Sequence, residues 1–100
     1  MHPTKIVEAL ATQGSVKVRL AGNSMQPIIE SKQLVTIEAV NSLDEIKVGD
    51  AVYCKVHGRY FLHLVTAKKD GQVQISNNKG HVNGWVTIKN IFGKMINIEP

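Results

Sequence analysis

A serine set just after a glycine break in a strand is well placed for nucleophilic chemistry, and Ser24 lies in such a segment, Gly22-Asn23-Ser24-Met25-Gln26-Pro27. There the hydroxyl is presented at a sheet edge, and the backbone N–H groups around it can stabilise an oxyanion. Gly22, Asn23, Met25 and Pro27 shape this loop: Met25 points into the core as an anchor, and Pro27 stiffens the exit. A serine nucleophile needs a base to take its proton. His63, within Tyr60-Phe61-Leu62-His63-Leu64-Val65, is suited to that task, because an imidazole titrates at about 6.5 and accepts a proton near neutral pH. Each residue also has a plainer reading. Serines after glycine turns commonly bond to nearby backbone, and a histidine between apolar neighbours is commonly a hydrogen-bonded core residue.

These side chains need elements to position them. Residues 4–13 read as the one helix: Thr4 is placed to cap its start, and Ile6, Val7 and Leu10 share a face. Gly14 ends it in the left-handed conformation. The remainder reads as strands. Val16, Val18 and Leu20 alternate with Lys17, Arg19 and Ala21, the period of a half-buried strand. After the connector at 23–29, residues 34–40 are β-rich again. Lys47-Val48-Gly49-Asp50 turns into a strand at 51–56, with Asp50 accepting backbone N–H bonds. His57-Gly58 fits a two-residue hairpin turn, and residues 59–67 return antiparallel. That register sets Val52 against His63 and puts Phe61, His63 and Val65 on one face. Lys69-Asp70-Gly71 leads to a strand at 72–76, residues 77–84 form a loop rich in Asn and Gly, and 86–88 and 91–98 supply the last strands. The predicted fold is mainly β, a small antiparallel β-ribbon or barrel. A helix over 1–14 packs on a β domain over 15–100, as a single domain.

Gly22-x-Ser24-Met25-x-Pro27 resembles the nucleophile motif of the LexA-repressor/signal-peptidase superfamily of serine peptidases. The likeness continues in order along residues 15–98. Lys47-Val48-Gly49-Asp50 with Ala51-Val52-Tyr53 is similar to that superfamily's Gly-Asp turn and strand. Residues 60–65 stand where it places its general base, and Ile91-Phe92-Gly93-Lys94-Met95 is similar to its closing strand. The resemblance implies that Ser24 is a nucleophile and His63 its base. Lysine holds the base position in bacterial signal peptidases and LexA-type proteins, and histidine in the signal-peptidase type of eukaryotes and archaea. Those histidine-type relatives carry an acid in a later loop. The matching segment here, residues 76–85, contains none, so Asn77 or Asn83 is the candidate to orient His63. Asparagine can hold an imidazole in place but does not neutralise an imidazolium.

Composition sets the frame for that chemistry. The chain has 100 residues, which suffices for one domain with a small core. No apolar run is long enough to span a bilayer or to form a signal-peptide core. A lone cysteine, Cys54, excludes an internal disulfide framework, points to a reducing compartment and reads as a small buried hydrophobe. The expectation is a soluble, cytoplasmic protein, compatible with a bacterial or phage accessory role. Without a DNA-binding domain or a membrane anchor, cleavage would act in trans on an extended peptide or protein.

The net charge of +4 is uneven, with five basic and six acidic residues in 1–50 against seven and two in 51–100. With ten Lys to two Arg, this reads as solvated hairpins, and nucleic acid is the less favoured partner. Tyr53, Tyr60 and Phe61 read as core residues and Trp85 as a cap on the barrel. His2, His57, His63 and His81 show no metal-ligand spacing, so no metal or other cofactor is expected. The leading functional reading is a serine peptidase with a Ser24–His63 dyad. The alternative is a non-catalytic module of the same fold that binds a protein or nucleic acid.

Overall fold

The computed structural model describes residues 2–100. Helix α1 (Pro3–Gln13) begins one residue earlier than the sequence pattern suggests, because Pro3 occupies its first turn and His2, not Thr4, is the N-cap. The His2 ring nitrogen accepts from the Thr4 N–H at 3.2 Å, which draws Thr4 into the helix. Gly14 closes the other end at φ 81°, its N–H donating to the Leu10 carbonyl. Ile6 and Leu10 are the buried face of α1.

Seven strands follow in one antiparallel sheet: β1 (Ser15–Arg19), β2 (Leu34–Ala39), β3 (Ala51–Val56), β4 (Arg59–Lys69), β5 (Gln72–Ser76), β6 (Val82–Val86) and β7 (Ile91–Ile98). Their spatial order is β1-β2-β7-β3-β4-β5-β6, so β7 is inserted between β2 and β3. The fold is therefore mainly β with an N-terminal helix. The hairpin of β3 and β4 has the register expected from its turn, Val56 facing Arg59 and Val52 facing His63. His57 and Gly58 both have positive φ, as a two-residue hairpin turn requires.

Strand β3 is the centre of the molecule, buried on both faces at Ala51, Val52, Tyr53 and Cys54. Alternation along it divides the core. Tyr53 joins Ile6, Leu10, Val35, Ile37 and Leu62 under the helix, while Val52 and Cys54 join Ile46, Val65, Val73 and Ile75 on the other side. The sheet coils enough to bring β6 against the β3–β4 turn. A Cβ at Gly84 would lie 3.1 Å from the His57 ring and 3.2 Å from Val56. No helix among the described residues is long and apolar enough to cross a membrane.

Two expectations at the C-terminal side are corrected. The run at 77–84 is not a loop throughout: pairing with β5 makes 82–86 a strand, and 88–90 is a short 3-10 turn. Tertiary pairing overrides the poor strand propensity of Asn83-Gly84. Trp85 does not cap the core. On β6 it is Val86 that faces inward opposite Val73, so the alternation turns Trp85 outward, 42% exposed.

The inserted strand β7 depends on a residue without a side chain. A Cβ at Gly93 would sit 2.7 Å from Ile37 Cγ2 and 2.8 Å from the Glu38 carbonyl oxygen. Replacing Gly93 by Ala must push β2 and β7 apart. Chemical denaturation of Gly93→Ala is expected to show a loss of about 1–3 kcal/mol relative to the parent chain.

Candidate active site

The segment between β1 and β2 is drawn into a tight turn, with the Gln26 N–H donating to the Asn23 carbonyl and the Ile29 N–H to the Met25 carbonyl. Met25 and Ile29 are buried in the cluster beneath α1 and anchor the turn. Pro27 is exposed and follows a cis peptide bond. Ser24 is thereby held at the lip of the sheet, half-buried.

His63 comes from the middle of β4 and is only 5% exposed. Its ring stacks on Phe61, centroids 4.5 Å apart. Both of its nitrogens are partnered: Nε2 lies 3.0 Å from Ser24 Oγ, and Nδ1 lies 2.7 Å from Asn83 Oδ1. The amide oxygen of Asn83 can only accept, so Nδ1 carries the proton and Nε2 is left to accept from the serine hydroxyl. A continuous donor–acceptor chain thus runs from Ser24 through His63 to Asn83, linking the β1–β2 turn, β4 and β6.

Burial is the main influence on His63 and lowers its pKa below the ordinary 6.5. The hydrogen bond to Asn83 opposes this, because an acceptor at Nδ1 also favours the imidazolium. His81 acts in the same direction as burial, by charge repulsion. The ring is consequently neutral at pH 7, the form that can receive a proton.

Of the two asparagines with the potential to orient the histidine, only Asn83 touches it. Asn77 instead shapes its own loop, its Oδ1 accepting from the N–H groups of Lys79 and His81. The supporting residues also divide. The Gly22 N–H is engaged by Ser31 Oγ at 3.1 Å and is not free for an oxyanion, whereas the Ser24 N–H has no partner among the described residues. Asn23 acts through its side chain, accepting from Gln26 Nε2.

Asn78 is a contributor that inspection of the sequence did not single out. Its N–H donates to the Ser24 carbonyl at 2.9 Å and its Nδ2 to the Gln26 carbonyl at 3.0 Å. These two bonds clamp the serine turn to the loop that leads into β6. Only its place in the Asn-rich stretch hinted at a role. Two residues before it Ser76, 4% exposed, is hydrogen-bonded to Thr66 Oγ1 at 2.8 Å, which ties β5 to β4.

The remaining candidates lie elsewhere. Asp50 accepts from the Lys47 N–H at 2.8 Å and closes its own turn. Cys54 is buried, its thiol pushed up to about 12 by desolvation, so it stays protonated. Among the described residues no three His, Cys, Asp or Glu side chains cluster as metal ligands would.

An open cleft of about 200 Å³ runs beside Ser24 and His63, walled by Met25, Ile29, Tyr53, Tyr60 and Leu62. The arrangement can take a proton from a serine hydroxyl beside an apolar trough, with a free amide at the serine itself.

The role of Asn83 has a direct spectroscopic consequence. An NMR titration of His63 is expected to give a pKa below 6.5 in the parent chain. Asn83→Ala should lower it further by removing the acceptor, and Asn83→Asp should raise it by facing the imidazolium with a carboxylate. Comparison with family models, curated proteins and solved structures yields no match for this chain.

Proposed function

We propose that this protein is a serine peptidase of the LexA/signal-peptidase type, acting in trans on an extended peptide. The observation that carries this reading is the unbroken Ser24–His63–Asn83 chain of hydrogen bonds at the edge of an apolar cleft. In this mechanism His63 Nε2 takes the hydroxyl proton as Ser24 Oγ attacks the scissile carbonyl. The tetrahedral oxyanion is met by the free N–H of Ser24. The imidazolium, held through Nδ1 by Asn83, passes its proton to the leaving amine. Water then cleaves the acyl-serine by the same route in reverse.

Asn83 keeps the ring in the required tautomer but contributes no negative charge, so it stabilises the imidazolium less than a carboxylate does. Burial of His63 acts in the same direction, disfavouring the imidazolium; what it supplies is a ring that is neutral and ready to accept a proton at pH 7. A soluble, cytoplasmic setting agrees with the single cysteine, which is buried and free. The second reading is a non-catalytic binding module, and what favours it is the amide at position 83 in place of an acid.

A serine-reactive phosphonate separates the two. Mass spectrometry is expected to find the adduct on Ser24, and Ser24→Ala should abolish it. His63→Ala should slow labelling by roughly 100-fold or more, the usual contribution of a positioned base. Absence of any adduct between neutral and mildly alkaline pH would exclude the peptidase.

The pH dependence follows from the depressed pKa of His63. The reactive form is the neutral ring, so the labelling rate should be on its plateau at pH 7 and fall as acid protonates Nε2. The midpoint is expected below 6.5. A midpoint above that value would contradict the assignment of His63 as the buried base.

A further inference from the structure

The cleft beside Ser24 has one charged group that the proton-transfer chemistry does not use. Glu30 lines it together with the apolar walls, and neither Lys nor Arg does. The chain as a whole is cationic, yet this trough carries a single carboxylate, and the imidazole that also lines it is neutral.

Glu30 is also held in place. Gln26 Nε2 donates to Glu30 Oε2 at 2.8 Å and to Asn23 Oδ1 at 3.2 Å. The Glu30 N–H donates to Gln33 Oε1, and the Gln33 N–H returns to the Glu30 carbonyl. The Gln26 carbonyl is itself clamped by Asn78, so the residue that holds the carboxylate belongs to the same tied-down turn as Ser24. No basic side chain neutralises it: the ion pairs among the described residues are Lys5–Glu8 and Lys17–Glu99.

The apolar part of the cleft sets the second requirement. Its volume of about 200 Å³ is smaller than the roughly 300–1,000 Å³ of pockets that enclose a whole small molecule, but ample for one large side chain. An alanine would leave most of the walls without contact partners. Ile6 from α1 and Leu62 from β4 line the space along with Met25 and Ile29, a surface that favours leucine, methionine or phenylalanine.

We infer that the cleft selects a peptide segment in which a large apolar residue is followed or preceded by a lysine or arginine, with Glu30 as the specificity-determining residue. The inference deepens the peptidase reading by naming its substrate class, and it rests on that reading for turnover but not for binding. Glu30 acts on recognition: its carboxylate meets the basic side chain while the apolar neighbour fills the trough.

The test uses the full chain carrying Ser24→Ala, so that binding is measured without cleavage. Capped fluorescent peptides share a central leucine and differ beside it by Lys, Gln or Glu. Fluorescence anisotropy should rank them Lys over Gln over Glu, with the Lys peptide bound roughly three- to fivefold more tightly than the Gln peptide, the range of an exposed ion pair. The preference should shrink in 0.5 M salt, where screening is strong, disappear in Glu30→Gln and reverse in Glu30→Lys. Replacing the leucine by serine should weaken every peptide. Equal binding of the three peptides, an unchanged ranking in Glu30→Gln, or no binding of any peptide overturns the inference. Phosphonate labelling of the parent chain is scored separately. Adduct formation without a charge preference removes the proposed specificity and leaves the peptidase standing. A charge preference without an adduct does the reverse.

Discussion

A histidine buried to the extent of His63 must have both ring nitrogens hydrogen-bonded, because leaving either one bare inside the protein costs about 1–3 kcal/mol. That requirement ties together three parts of the chain that are distant in sequence. Nε2 is met by Ser24 and Nδ1 by Asn83, 39 residues before and 20 residues after. Each partner has its own support: Asn78 and buried Met25 hold the serine turn, and pairing of Val82 and Gly84 with β5 brackets Asn83 in a bulge of β6. The ring, buried and stacked on Phe61, has little freedom to leave this arrangement.

Burial does two things at once here. It demands partners for the imidazole, which makes the constellation rigid, and it disfavours the charged form, which keeps the ring neutral. A carboxylate at position 83 would shift that balance toward the imidazolium. The amide instead orients the ring with less opposition to the effect of burial. Orientation and basicity are thereby assigned to different causes, the first to a neutral hydrogen bond and the second to desolvation.

The same separation appears in the core. Strand β3 is buried on both faces and divides the apolar residues into two clusters, one beneath α1 and one against β5 and β6. The serine turn is anchored in the first cluster through Met25 and Ile29. His63 stands on the face of β4 that belongs to the second, beside Phe61 and Val65. The site therefore lies where the two halves of the core meet, at the lip of the sheet. The trough beside it is lined from both directions, by α1 and the serine turn on one side and by β3 and β4 on the other.

Local pattern was enough to read the β-rich class, the helix at the start, and the register of the β3–β4 hairpin. These are set by side-chain period and by turn residues such as His57-Gly58, both short-range properties. Ser24 and His63 could be named because motif and spacing marked them. Their separation of 3.0 Å could not, since it depends on how the β1–β2 turn folds back over β4. The choice of Asn83 over Asn77 was likewise beyond local reading. Asn83-Gly84 has the composition of a loop and becomes a strand only through pairing of its neighbours with β5. The bulge that leaves Asn83 unpaired between Val82 and Gly84 breaks the alternation that would set it on the same face as Trp85, while Asn77 closes a turn. Trp85 faces outward as the neighbour of an inward Val86. Local amino-acid order determined the helix, the strands other than β6, and which side chains were available for chemistry. Long-range strand pairing decided which of them meet, because contact across a sheet is a property of register between distant segments and not of either segment by itself.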